Sequence, residues 1–402
     1  MTPLVAAVSG YSPLKSSAAI PDRGLLPAKD LFNVKGTFIN AAFTHPMSLA
    51  TAEAAKAYTA RRIVNDRAAD DLMGTNRTEA AKLFASLINA DPEDLAWVAS
   101  TMTGENFIVS GLGLPGTNHH VVTDACHFHG SLYLYGQLAR QGLRVDVVRP
   151  KGNSIAIDDL DSAITSKTKL VSISLVSAHN GFLHDLKAVC DRAHAKGAMV
   201  YADIIQAAGA VPIDVKESGV DFCACSSYKW LMADFGAGFL YVRKDRLPLL
   251  QRTQYGFRQI DRFDTHVFPL DTPGDSVYDW TAHNDVAGHF QVGTLSNATI
   301  AALRESLSYL NQVGVKQIQR YRQPLINRIQ EQLPRLGFIP MTPLESQSPI
   351  VCFAYKNAFS LQPRLDKAAI NIQLYDHHVR ISPSVYNDMD DVEKLINAVS
   401  KS

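Results

Sequence analysis

The stretch AMVYADIIQAAGAVPIDVKESGVDFCACSSYKW, residues 198–230, decides how this chain reads. Its two runs AMVYADI (198–204) and DFCACSS (221–227) are short, apolar and bounded by turn residues, the signature of strands. Just upstream, Asp185 precedes Leu186, Val189, Cys190 and Ala193 at helical spacing, and Gly197 follows as a C-terminal stop. HHVVTDAC (119–126), RVDVVRP (144–150), KLVSISLV (169–176) and GAGFLYVR (236–243) read as further strands separated by helical stretches. That alternation predicts an α/β fold with a mostly parallel sheet covered by helices. Such sheets bind ligands beyond the carboxyl ends of their strands, where Asp203 and Lys229 fall.

The remaining text divides around this sheet. Residues 245–290 (QYGFRQIDRFDTHVFPLDTPGDSVYDW at their centre) form an irregular aromatic segment longer than an ordinary connection, which predicts a functional or interfacial loop. Beyond it, ATIAALRESLSYLNQVG and Val315 to Leu333 read as helices, IVCFAY (350–355) and HHVRISPS (377–384) as strands, and DDVEKLINAVSKS as a closing helix. The expected organisation is an N-terminal segment (1–45) packing on the small domain, a large domain (46–290) and a smaller C-terminal α+β domain (291–402). A chain of 402 residues exceeds what one core usually supports.

Composition narrows the function classes. Apolar residues make up 46% and charged residues 19%, which fits a soluble globular protein. The formal charge is zero, which removes the electrostatic case for a nucleic-acid partner. No apolar run reaches the ~18 residues of a membrane span. The first twenty residues carry only a weak apolar stretch, so no secretory signal is expected and a cytoplasmic location is the default. Cys126, Cys190, Cys223, Cys225 and Cys352 are scattered among apolar residues, where reduced thiols are expected, and Cys223 with Cys225 lacks the second ligand pair of a zinc site. No metal is expected.

Asp203 and Lys229, 26 residues apart, suggest a cofactor. Pyridoxal 5′-phosphate (PLP) needs a lysine for its Schiff base, a carboxylate for its protonated ring nitrogen, a flat partner for the ring and donors for its phosphate. A strand ending in an acid is otherwise poorly motivated, because a buried carboxylate is costly without a positive partner. Taken singly, Asp203 is as well explained as a helix N-cap and Lys229 as a solvated loop lysine. A nucleotide-binding sheet is disfavoured, since neither G-x-G-x-x-G nor a Walker lysine follows the first strand.

The order strand–Asp–x–x–Gln, strand–Ser–x–x–Lys and then a Gly-containing strand resembles fold-type I PLP enzymes of the class-V aminotransferase group. That group includes cysteine desulfurases, isopenicillin-N epimerases and kynureninases. The resemblance runs from about Gly36 to Asn387 and implies site residues in turn. Lys229 is the Schiff-base lysine and Asp203 the partner of the ring nitrogen, with Gln206 reaching the phenolic oxygen. In GTFINAAFTHP, Asn40, Ala41 and Ala42 line the substrate site. In ASTMTGEN (99–106), Thr101, Met102 and Thr103 open a helix at the phosphate. In TDACHFHG, His127 stacks on the ring, with His129 as the rival. Ser226 and Tyr228 reach the phosphate, and Thr294 in VGTLSN (292–297) supplies a donor to the partner's cofactor in a homodimer. Arg380 forks onto the substrate carboxylate.

Two departures bear on the reaction. SAHNG (177–181) puts Ala178 where the group carries an asparagine, with Asn180 or His179 as possible substitutes. NIQLYDHHVRISPSVYN holds no cysteine ahead of Arg380, where desulfurases carry their nucleophile, and Cys352 reads as a core strand residue. The expectation is a lyase, by C–S or other β-elimination, or an epimerase acting at Cα, with Lys229 and His127 as catalytic residues. His127, Tyr255 and His378 are the candidate second proton donors. A class-V aminotransferase, a kynureninase-like hydrolase and a PLP-binding regulator are the alternatives. Arg258 and Arg262 stand apart as possible contacts to a second acidic group.

Overall fold

The structure is a computed structural model that describes residues 26–64, 68–114 and 119–400. The apolar stretch of the first twenty residues and most of the 1–45 segment lie outside the described residues.

Seven strands form the central sheet: β1 (Leu95–Val98), β2 (His120–Asp124), β3 (Arg144–Val148), β4 (Thr168–Ser174), β5 (Met199–Asp203), β6 (Phe222–Ser226) and β7 (Gly238–Val242), in the order β1-β7-β6-β5-β4-β2-β3. Neighbours from β6 across to β3 pair in parallel, and β7 runs antiparallel to both β6 and β1. Strands β5, β6 and β7 are buried along their whole length, which is why they read as continuous apolar runs rather than alternating ones. Every expected strand of the sheet is present; β1 was not foreseen, since LAWV is too short to show periodicity.

Helices pack both faces of this sheet. One apolar cluster joins Phe84, Trp97, Val171, Trp230 and Phe239, and a second joins Phe107, Leu138, Tyr201 and Leu240. The predicted helix after Asp185 spans Leu186–Ala195; the Asp185 carboxylate caps the Ala188 N–H at 3.0 Å and Gly197 adopts φ +79° beyond its end.

The long segment after β7 is more regular than its sequence suggested. It holds an antiparallel ribbon of β8 (Ile260–Thr265) and β9 (Tyr278–Ala282), whose outward residues hid the strand pattern.

The C-terminal part carries a four-stranded sheet of β10 (Ile339–Pro340), β11 (Val351–Ala354), β12 (Gln373–Leu374) and β13 (His378–Ile381), in the order β10-β11-β13-β12. Phe353, Ile381, Leu395 and Ile329 belong to its own apolar cluster. Helix Asn297–Val313, assigned by the sequence to this part, instead buries Leu303, Leu307 and Leu310 in the core around Trp230 and Phe239. Thr37–Phe38 pairs in parallel with Ile370–Asn371, so the described end of the N-terminal segment lies on the small sheet's side.

Candidate active site

Strands β2, β4, β5 and β6 end side by side, and residues at and just past their ends line a cleft of about 70 Å³. It is lined by Asp203 and Gln206 from β5, Tyr228 and Lys229 from the turn after β6, Ser174 at the end of β4, and Ser100, Thr101 and Met102 at the start of helix Thr101–Gly111. Phe128 and Ala178 close the other side.

Lys229 is 9% exposed and Asp203 3% exposed. Burial pushes the Lys229 ammonium down to about 8, helped by the charge of Arg380 and opposed by Asp203. Burial also lifts the Asp203 carboxyl to about 6, while the Ile205 N–H, 2.9 Å away, favours its ionised form. Both groups thus sit where a small change of environment switches their charge.

The anion end of the cleft is built by a reciprocal clamp. The Thr101 N–H donates to Ser226 Oγ at 2.8 Å, and the Ser226 N–H donates to Thr101 Oγ1 at 3.0 Å. This ties the helix N-terminus to the lysine strand, and an N-terminus of this kind favours an anion. Met102 lines the cleft as expected. Thr103 does not: its N–H and hydroxyl are both taken by Ser100, at 3.1 and 2.9 Å, as the helix cap.

Gln206 is fixed at both ends. Its Nε2 donates to the Ala42 carbonyl at 3.1 Å and its Oε1 accepts from Trp230 Nε1 at 2.9 Å, leaving one amide hydrogen for the cleft. Ala41 and Ala42 are held in turn by Ser382, whose carbonyl and hydroxyl accept their N–H groups. Ser382 is two residues from Arg380, so the Asn40–Ala42 segment packs beside that arginine; Asn40, Ala41, Ala42 and Arg380 are buried behind the cleft and do not line it. The Asn40 Oδ1 is buried and, among the described residues, has no partner.

Arg380 is 4% exposed. Its Nη1 donates to the Ala178 carbonyl at 3.2 Å, and its Nε finds no acceptor among the described residues. A buried guanidinium with a spare donor is costly until an anion completes it.

The ring partner is a correction. His127, expected to stack on a cofactor ring, is fully buried and faces away from the cleft. Its Nδ1 lies 2.8 Å from Ser174 Oγ, and its Nε2 lies 3.0 Å from Ser172 Oγ and 3.4 Å from Glu105 Oε1. Phe128, one position on, presents a ring to the cleft, as does Tyr228. His129 is exposed beside Phe128, with its ring 4.2 Å away.

The other expectations separate in the same way. Asn180 cannot replace the missing asparagine at Ala178, because its amide is bonded to the Asn153 carbonyl and the Phe182 N–H. Tyr255 is 79% exposed and takes no part in the cleft. His378 stacks on Tyr375 near Arg380. Thr294 is exposed and outside the cleft of its own chain. Arg258 borders a groove at the base of the ribbon, and Arg262 pairs with Asp264 on the ribbon itself. All five cysteines are buried and unbridged, and burial pushes the Cys352 thiol up to about 12.

The class-V aminotransferase profile matches residues 40–395. The chain belongs to the class-V aminotransferase family. Among curated members, an uncharacterized aminotransferase of Bacillus subtilis (YcbU) is 26% identical over 89% of this chain and 94% of its own length. A probable cysteine desulfurase of Methanothermobacter thermautotrophicus is 27% identical over 60% of this chain and 58% of its own length. Two solved structures share the fold with TM-scores of 0.80: the Escherichia coli cysteine desulfurase CsdA (21% identity, 93% of this chain, 97% of that one) and the cystine C-S lyase C-DES (18%, 91% and 98%).

The family's cofactor is PLP, and the cleft suits it. A lysine that burial brings near neutrality, a buried acid, a helix N-terminus with hydroxyls and a half-buried phenyl ring meet the four demands of that molecule. Among the described residues no helix is long and apolar enough to cross a membrane, and no cluster of three or more His, Cys, Asp or Glu could hold a metal.

Proposed function

We propose that this chain is a PLP-dependent enzyme acting at Cα of an amino acid, as a lyase by β-elimination or as an epimerase. The observation that carries the reading is a cleft lysine brought down to about 8, with a buried arginine behind the lining residue Ala178 that has a donor to spare. Bound PLP withdraws electrons from the substrate's Cα and so acidifies its proton. Arg380 binds and orients the substrate carboxylate, with Asn40 beside it on the Ser382 bridge. Lys229 anchors the cofactor and, at neutral pH, holds or takes the α-proton at Nζ. Asp203 holds the ring nitrogen and Gln206 donates its free amide hydrogen.

A desulfurase is disfavoured by the chain's own thiols. Cys352 lies fully buried in β11 with its thiol proton held tightly, so no mobile nucleophile stands beside Arg380. The enzyme is proposed to work as a homodimer in which the exposed Thr294 reaches the partner's cofactor.

The test has two parts. The protein purified with PLP absorbs in the visible, and Lys229→Ala abolishes that band. Incubated in deuterated water with a panel of amino acids, the wild type exchanges the α-proton and yields a sulfide, keto-acid or inverted product that names the reaction. A PLP-loaded chain that exchanges no α-proton from any of them points to a binding regulator and defeats the enzyme reading.

A further inference from the structure

His127 sits in a polar cluster that the cleft does not explain. Glu105, fully buried on helix Thr101–Gly111, accepts from Ser131 Oγ at 2.6 Å, Tyr135 OH at 2.9 Å and Ser172 Oγ at 3.1 Å, and pairs with His127 Nε2 at 3.4 Å. Three hydroxyls and an imidazole around one carboxylate are far more than a core needs. A fully buried carboxylate keeps its charge only against such donors and a cation. The pairing holds Glu105 below its ordinary value and His127 above, each the cause of the other's charge.

The cluster reaches the cleft through one atom. Ser174 Oγ lies 2.8 Å from His127 Nδ1 and 3.2 Å from the Phe128 N–H, and Ser174 lines the cleft directly across the ladder from Asp203. With His127 protonated at both nitrogens, Nδ1–H donates to Ser174 Oγ and the Phe128 N–H fills that oxygen's second lone pair. The Ser174 hydroxyl hydrogen is then free to turn to the cleft that Ser174 lines. With His127 unprotonated at Nδ1, that nitrogen's one lone pair is shared between the Phe128 N–H, 2.9 Å away, and the Ser174 hydroxyl, which is drawn away from the cleft.

We propose that His127 is a positioning residue, which, paired with Glu105, holds Asp203 ionised and turns the Ser174 hydroxyl hydrogen toward the cofactor. This deepens the reading of the cleft as a PLP site and rests on it. The charged groups acting on Asp203 are His127 and Lys229, which favour its ionised form, and Glu105, which opposes it more weakly than His127 helps. Tyr201, Tyr228 and Cys225 also face it; burial and the charge of Asp203 raise all three above their ordinary values, so they stay neutral. His127 therefore stabilises the anion that keeps the cofactor's ring nitrogen protonated, without touching the ring.

The experiment measures the affinity of the chain for PLP by equilibrium dialysis across pH. In a Lys229→Ala background, which removes the lysine's own titration, affinity falls on the acid side as Asp203 takes its proton. With His127→Gln added, the loss of the cation raises Asp203, so this acid-side fall moves to higher pH by about one unit. The double variant Glu105→Gln/His127→Gln removes both charges and leaves no buried anion orphaned. Its shift has the same sign and is smaller, and it decides the matter if the single variant does not fold. An acid limb unmoved in a folded variant overturns the role of His127 while leaving the PLP site intact. A wild type that binds no PLP defeats the site reading itself.

Discussion

Asp203 ends one parallel strand and Lys229 follows its neighbour, and burial draws their proton affinities together, to about 6 and about 8 from ordinary values of 3.8 and 10.5. Desolvation disfavours both charges, and each charge partly offsets the other's loss. Both shifts fit the cofactor proposed for the cleft: the acid would gain a positive partner and the lysine need not stay protonated.

Asp203→Asn tests the first half of that statement. The substitution keeps the shape and the acceptor for the Ile205 N–H but removes the charge. A hydrogen bond to a charged group contributes roughly 1.5–3 kcal/mol, so PLP affinity falls by about one to two orders of magnitude. Dialysis against PLP measures it; affinity equal to the wild type's would show that Asp203 is not the ring nitrogen's partner.

Lys229 gives a pH prediction whose sign follows from its lowered value. Only the neutral amine attacks an aldehyde, and its fraction falls tenfold for each unit below the pKa. The rate at which the cofactor-free protein develops visible absorbance on mixing with PLP therefore rises with pH and levels off above about 8. A lysine at its ordinary value would keep accelerating to about 10 instead. Stopped-flow absorbance separates the two profiles.

Much of this was legible in the sequence, and the exceptions have physical causes. The strands of the sheet were readable because burial on both faces makes them continuous apolar runs. Asp203 and Lys229 drew attention in the sequence as charged groups at or just past strand ends, and Arg380 through the family resemblance alone. The roles of His127 and Phe128 were not readable, since one residue of offset decides which side chain enters the cleft and which enters the core. Thr103 failed for a related reason: a helix cap and an anion cradle use the same residue types, and only the hydrogen bonds to Ser100 tell them apart. The ribbon β8–β9 escaped because neither strand is buried enough to alternate.

Arg380→Lys tests the carboxylate site. Lysine keeps the charge but loses the fork, so it can hold the Ala178 carbonyl or the substrate and not both. The expected result is a rise in KM of about tenfold or more with PLP binding unchanged, the energetic equivalent of roughly one strong hydrogen bond. An unchanged KM for every accepted amino acid would remove Arg380 from the site.

Phe128 supplies a ring face without a proton. Phe128→Ala leaves the floor of the cleft open and costs cofactor binding about 0.5–1.5 kcal/mol, a factor of about 2 to about 10. Phe128→His keeps a flat ring and keeps most of the affinity. Were the alanine variant as tight as wild type, the ring would have to rest on another side chain, and the exposed His129 beside it is the one to replace next.

Gly209 ties the lysine turn to the backbone behind it. Its φ is +90°, and a Cβ placed there would lie 2.3 Å from the carbonyl oxygen of Trp230, the residue after Lys229. That oxygen belongs to rigid main chain, since Trp230 is 1% exposed and its ring is held by Gln206 and by the Arg322 guanidinium 5.6 Å from its centre. Gly209→Ala therefore meets both a backbone conformation that side chains disfavour, at about 1–3 kcal/mol, and a contact that only movement of the Lys229 turn can relieve. The variant is expected to melt several degrees lower and to show a weakened imine band even where it remains folded. Gly197→Ala serves as the control, because it also has positive φ, at +79°, but nothing lies within 4 Å of its added Cβ. It should lose stability from the backbone alone and keep its absorbance; equal loss of absorbance in both variants would uncouple Gly209 from the lysine.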